Sequence, residues 1–184
     1  RPTGYCGTPS FLKIILEKGR DLGADLTSLK RALLAGEALP PSLRADIAAF
    51  GLDVYQCYAT ADLGLIGYES VAKEGFIVDE GLIVEIVRPG TGDPVVPGEV
   101  GEVVATSFAS EYPLIRFATG DLSATLPGIS PCGRTGLRLK GWMGRADQTT
   151  KVRGMFVHPA QIADVLKRHP EIKKARLVVD QEDG

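Results

Sequence analysis

Arg31-Ala32-Leu33-Leu34-Ala35-Gly36 is a short apolar run closed by a glycine, and it lies between two segments of helical character. A run of this length and apolarity reads as a buried strand of a parallel sheet. Upstream, Thr8-Pro9 offers an N-cap and a proline at the first helical position. Phe11, Leu12, Ile14, Ile15 and Leu16 then predict an amphipathic helix that stops near Gly19. Downstream, Pro41 to Phe50 reads as a second helix with Gly51 at its C′ position, and Leu52 to Tyr58 as another strand. Helices alternating with short strands predict an α/β fold with a largely parallel sheet layer over residues 1–70.

From about residue 71 the texture changes. Gly75-Phe76-Ile77-Val78, Leu82 to Val87 and Val100 to Phe108 are β-type runs, separated by the turn-forming stretches Pro89-Gly90-Thr91-Gly92-Asp93-Pro94 and Pro97-Gly98. They predict one small antiparallel β region from Gly75 to about Leu122. A Pro/Gly-rich link from Pro127 to Gly136 leads to a strand near Leu137 to Lys140. Ile162, Ala163, Val165 and Leu166 put one apolar face on a helix ending before Pro170, and Ala175 to Val179 reads as a strand. The expected organisation is a domain over 1–141, with an α/β layer over 1–70 and a β-rich region over 71–141. The start of a separate α+β domain over 142–184 follows.

The 184 residues carry a net charge of −2 and are 44% hydrophobic, enough to bury a core. A near-neutral chain gives no electrostatic footprint for nucleic acid or a membrane surface, and no apolar run approaches the length that spans a bilayer. Cys6, Cys57 and Cys132 are too few and too scattered for a disulfide framework, which fits a reducing, cytoplasmic setting. No signal-peptide pattern follows Arg1, and the opening residues read as the middle of a domain, so an internal piece of a longer protein is expected.

Four segments carry chemistry. In Ala35-Gly36-Glu37-Ala38-Leu39-Pro40, a glycine at a strand end leaves backbone bare for close approach; the plainer reading is a strand-to-helix turn with Glu37 near a helix start. Tyr58-Ala59-Thr60-Ala61-Asp62 joins an aromatic ring, a hydroxyl and a carboxylate. The alternative there is Thr60 capping a short helix, with Asp62 at its positive end. Pro113 to Leu122 holds Thr119-Gly120-Asp121, a carboxylate able to accept from two hydroxyl donors, or simply a turn between strands. The fourth is Gly144-Arg145-Ala146-Asp147-Gln148-Thr149-Thr150-Lys151-Val152-Arg153-Gly154, continued by Phe156-Val157-His158-Pro159-Ala160-Gln161-Ile162.

In order and rough spacing these segments resemble the adenylate-forming (acyl-CoA synthetase, AMP-binding) superfamily, its phenylacetate-CoA ligase branch in particular, over nearly the whole chain. The resemblance implies that residues 1–141 are the C-terminal part of the large AMP-binding domain and that 142–184 begin the mobile lid. It implies nucleotide contacts from Gly36, Glu37, Ala38, Tyr58, Ala59, Thr60, Asp121 and Arg145, with Asp121 on the ribose hydroxyls. It makes Asp147 the hinge, Lys151 and Gly154 the face toward coenzyme A, Ala35 and Ala59 the acyl pocket, and Asp62 a magnesium ligand. Four positions depart from the family pattern. Ala59 stands for glycine, Ala61 for a hydroxyl residue, Asp62 for glutamate and Ala118 for arginine, with Arg116 two positions before it. Cys132-Gly133-Arg134-Thr135 resembles the branch's C-x-C-G-R-T segment with Ser130 at the first cysteine. A cysteine so placed argues against zinc and for a structural link. His158 and His169 read as a helix-start residue and a residue at a helix C-terminus.

The implied partners are ATP (leaving AMP), Mg2+, coenzyme A and a carboxylic acid, an aryl acid such as phenylacetate being the family's suggestion. Homodimerisation is left open. The family's Ser/Thr/Gly-rich phosphate loop and its catalytic lysine are absent from these residues. The expectation is therefore an acid-CoA ligase fragment that is inactive alone. The alternative, suggested by the four departures, is a catalytically silent AMP- or acyl-binding relative.

Overall fold

The computed structural model describes residues 1–148, 150–152, 155–157 and 159–178. The first strand, β1 (Gly4–Gly7), runs into helix α1 (Pro9–Asp21), whose Pro9, Leu12 and Leu16 are buried at helical spacing on one face. Strand β2 (Arg31–Leu34), helix α2 (Pro41–Ala48) and strand β3 (Asp53–Thr60) follow, and β1, β2 and β3 pair in parallel. Both helices cover one face of this layer, where Leu12 and Leu16 meet Ala32, Leu34, Ile47, Leu52 and Val54. The parallel α/β layer expected from the glycine-closed run at Arg31 is present. The run alternates, however: Ala32 and Leu34 are buried while Leu33 is 39% exposed, so β2 is buried on one face only. Helix α1 also extends two residues past Gly19.

The chain then turns back. Strand β4 (Gly64–Tyr68) adds antiparallel to β3 and β5 (Phe76–Val78) antiparallel to β4, while β6 (Leu82–Val87), β7 (Gly101–Ser107) and β8 (Phe117–Ser123) form a separate three-stranded antiparallel sheet. Strands β9 (Thr125–Leu126) and β10 (Arg138–Leu139) return to the first sheet, in which the order is β1-β2-β3-β4-β5-β10-β9. The single antiparallel region expected over Gly75–Leu122 is thus divided between two sheets, and the seven-stranded one runs across residue 70. The reason is a long-range pairing, Phe76 with Leu139, that local pattern does not reveal. The sheets pack through Phe76, Val78 and Leu139 against Ile86 and Val103, with Tyr58 and Val84 at the margin.

A short hairpin of β11 (Thr150–Val152) and β12 (Met155–Val157) leads to helix α3 (Pro159–Arg168), an α+β beginning for the C-terminal part. The strand expected at Ala175–Val179 is not formed over 175–178, and Val179 lies outside the described residues. Among the described residues no helix is long and apolar enough to cross a membrane.

Candidate functional site

The ends of β2, β3 and β8 and the segment after β10 converge on a hollow of about 340 Å³, within the range of small-ligand sites. One wall is the bend after β2, where Gly36 takes a left-handed φ of +78° and the exposed residues Gly36, Glu37 and Ala38 line the hollow. Glu37 has a second duty. Its carboxylate accepts from Ser10 N (3.2 Å) and Ser10 Oγ (2.9 Å) and so satisfies the start of α1. Thr8 makes no side-chain cap bond, so the cap expected from Thr8 comes instead from a carboxylate beyond β2.

Asp121 is the centre of the opposite wall. It lies inside β8 rather than in a turn, and its side chain is 13% exposed. Three side chains from two segments, β3 and the stretch after β10, donate to it. Tyr58 Oη reaches Oδ2 at 2.8 Å, while Trp142 Nε1 (3.0 Å) and Arg145 Nη1 (3.2 Å) reach Oδ1. Arg145 also donates to Thr119 O at 3.0 Å, and its Nε lies 3.5 Å from Asp147 Oδ1. Its backbone bridges that of Asp121, which the pairs Leu122 N to Gly144 O (2.8 Å) and Met143 N to Leu122 O (2.9 Å) extend. Gly120 makes room for this: its φ is +72°, and a Cβ there would stand 2.5 Å from Arg145 Nη2.

The electrostatics fix the charge states. Burial raises the Tyr58 phenol well above its ordinary value; the bond to Asp121 adds to the rise and the Thr119 hydroxyl opposes it. For Arg145, burial works downward, but the bond to and charge of Asp121, helped by Asp147, outweigh it and raise the guanidinium. The site therefore presents a neutral phenol and a protonated guanidinium to one acceptor.

The remaining sequence-derived positions divide. Ala59 lines the hollow, but Ala35 and Thr60 do not. Ala35 N donates to Gly7 O at 3.0 Å, and Thr60 Oγ1 accepts from Leu63 N at 3.1 Å. The short helix offered as the plain reading of Thr60 is absent; Thr60 closes the turn of the β3–β4 hairpin. Asp62 is exposed on that turn, and among the described residues no group of three His, Cys, Asp or Glu converges on a metal-sized site. Asp147 is exposed in a short 3-10 turn. Lys151 is placed in β11 by its backbone alone, and Gly154 and His158 lie outside the described residues. His169 follows α3 and faces Glu171 at 3.2 Å. Cys132 sits in a turn away from the hollow; the Ser130 and Ser70 hydroxyls and the Arg134 amide lower its thiol to about 7.

Sequence reasoning missed Gln56, Cys57, Phe76 and Trp142 as lining residues of the hollow. The signal for Trp142 was available: it is the only tryptophan of the chain and stands three residues before Arg145. Gln56 and Phe76 carry no comparable signal, because one is a lone polar residue in a strand and the other an ordinary core aromatic.

The sequence profile of the AMP-binding enzyme family matches residues 1–108. The phenylacetate-coenzyme A ligase of Thermus thermophilus is 30% identical over 100% of this chain and 43% of its own length. The enzyme of the same name from Escherichia coli is 32% identical over 85% of this chain and 37% of its own. An open conformation of a 2-hydroxyisobutyryl-CoA ligase, solved with its acyl-AMP and CoA, superposes with a TM-score of 0.79 at 27% identity, covering 91% of this chain and 41% of that one. The chain thus spans about two fifths of the length of these relatives.

Proposed function

Because the chain belongs to the family of AMP-binding enzymes, we propose that the hollow between β3 and β8 is the adenosine site of an ATP-dependent acid-CoA ligase. The observation that carries this reading is the convergence of Tyr58, Trp142 and Arg145 on the Asp121 carboxylate beside the exposed bend Gly36–Ala38. An adenine ring lies against that bend, the ribose hydroxyls donate to Asp121, and Arg145 faces the ribose and phosphate side. In the whole protein the carboxylate of an acid attacks the α-phosphorus of ATP and pyrophosphate leaves. The thiol of coenzyme A then displaces AMP from the acyl adenylate. The acid, an aryl acid of the phenylacetate kind, lies toward Ala59 and Ala35.

The donors present fit magnesium only when most of its oxygen shell comes from ATP, with Asp62 as the protein carboxylate. Bound there, the ion supplies neutralisation of phosphate charge. Asp147 is the pivot of the lid, and Lys151 and Gly154 serve coenzyme A recognition. The 184 residues alone bind nucleotide without turnover, because adenylation needs donors around the phosphates that this sequence does not contain. Removing one such donor class costs ~3 kcal/mol of transition-state stabilisation.

Equilibrium dialysis of AMP against the chain, paired with ATP–pyrophosphate exchange, tests this. Expected are AMP binding without exchange by the 184 residues, and acid-dependent exchange by the full-length protein. Exchange by the 184 residues, or no AMP binding, contradicts it. A second reading, a silent AMP- or acyl-binding relative, is favoured by Ala59, Ala61 and the exposed Asp62 at the hairpin turn. It predicts no exchange by the full-length protein with any acid.

A further inference from the structure

Asp121 is already served. A carboxylate offers about four acceptor positions, and the protein fills three, with Tyr58 on Oδ2 and Trp142 and Arg145 on Oδ1. Two ribose hydroxyls need two more, so one protein donor must leave when a nucleotide binds. Tyr58 is anchored in the packing between the two sheets and lies 3.2 Å from Thr119 Oγ1. Arg145 is held by Thr119 O and Asp147 as well. Trp142 differs from both. It is 46% exposed and donates through one bond.

The placing of its backbone makes the same point. Lys140 N donates to Ala124 O (2.8 Å), Ser123 Oγ donates to Gly141 O (2.7 Å), and Met143 N donates to Leu122 O (2.9 Å), so the chain around Trp142 is fixed to β8. The indole can therefore leave by side-chain rotation alone, which a half-exposed ring does rapidly. Beside the hollow lies a second one of about 340 Å³, lined by Lys73, Gly75 and Lys140, and Trp142, Ala38, Gln56 and Phe76 belong to both. The ring stands as a shared wall with space on its far side.

We propose that Trp142 is a ribose-responsive gate on the nucleotide site: its indole N–H holds an Asp121 acceptor position that only the vicinal hydroxyls of a ribose reclaim. The proposal rests on the adenosine reading of the hollow. A ligand lacking those hydroxyls leaves the gate shut and the indole bond intact, so the ring moves only for a ribose, and the ribose ligand alone bears the cost of breaking that bond.

As the sole tryptophan, Trp142 is its own reporter. The 184-residue chain is titrated with AMP and with 2′,3′-dideoxyadenosine monophosphate, following tryptophan emission and, separately, bound ligand by calorimetry. AMP is expected to change the emission and the dideoxy ligand not to. Trp142→Phe, which keeps a ring but removes the donor, is expected to bind AMP about three- to tenfold more tightly, since no charge-assisted bond must first be broken. Circular dichroism establishes that the variant is folded, and Trp142→Leu provides a second donor-free variant if it is not. AMP binding with unchanged emission, equal emission changes from both ligands, or weaker AMP binding by Trp142→Phe overturns the gate and leaves the nucleotide reading standing. No AMP binding by the wild type and the variants alike overturns that reading, and the gate falls with it.

Discussion

The Asp121 wall and the hairpin turn after β3 lie close in the fold but are built differently. At Asp121 three donors from two distant segments meet a carboxylate that is 13% exposed, and a left-handed Gly120 holds space for Arg145. At the turn, Ala59 and Ala61 bring no polar side-chain atom, the Thr60 hydroxyl closes the hairpin, and Asp62 is exposed. The contrast separates two tasks. Holding a nucleoside requires preorganised donors and acceptors, which the first region has. Holding phosphates and a metal requires reach and hydroxyls, which the second region lacks. On the proposed reading, the hollow is better equipped to hold the adenosine end of a nucleotide than the hairpin turn is to hold its phosphates.

The largest effect should come from removing the centre of the first region. Asp121→Ala is expected to weaken AMP binding ~100-fold, since two bonds to a charged acceptor are lost, as read by calorimetry; a change under threefold breaks the contrast. Next, Gly120→Ala is expected to weaken AMP binding ~10-fold, because the new methyl displaces the Arg145 guanidinium and the left-handed backbone disfavours a side chain. Its melting temperature gauges the strain separately. In the second region, Thr60→Ala should leave AMP binding within about twofold, its hydroxyl serving the turn rather than a ligand, at a stability cost of ~1 kcal/mol for the lost local bond. In the full-length protein, Ala61→Thr with Asp62→Glu should raise pyrophosphate exchange; no gain would mean the turn does not limit the chemistry.

The smallest expected effect is that of pH. The Tyr58 phenol is raised and so stays protonated, and Arg145 is raised and so stays cationic. Neither group therefore changes charge between pH 7.5 and 9.5, and AMP, whose phosphate has its second ionisation near ~6, is already fully charged there. Affinity should be flat across that window. A fall between pH 8 and 9.5 would show that the phenol loses its proton there and is not shielded as the packing implies.

Much of this was legible in the sequence where the determinants are local. The glycine-closed run at Arg31 and the helical spacing of Leu12 and Leu16 fix the parallel layer without reference to distant residues. The partition of the β strands was not legible, because the partner of Phe76 is Leu139, across a three-stranded sheet and a Pro/Gly-rich link. Strand β4 was obscured by Gly64 and Gly67, which weaken strand character locally. At the site, the ordered motifs pointed to Gly36, Tyr58, Asp121 and Arg145, and these four line one hollow. The duty of Glu37 at the start of α1 and the bond of Trp142 to Asp121 depend on tertiary approach, so no spacing rule reports them.

The most direct test of the nucleoside assignment is a crystal structure of the chain with AMP bound. Both ribose hydroxyls are expected within hydrogen-bonding distance of the Asp121 carboxylate, with the base against Gly36–Ala38 and the Trp142 indole turned away from Oδ1. AMP bound elsewhere, or lying in the hollow with its ribose away from Asp121, would contradict it.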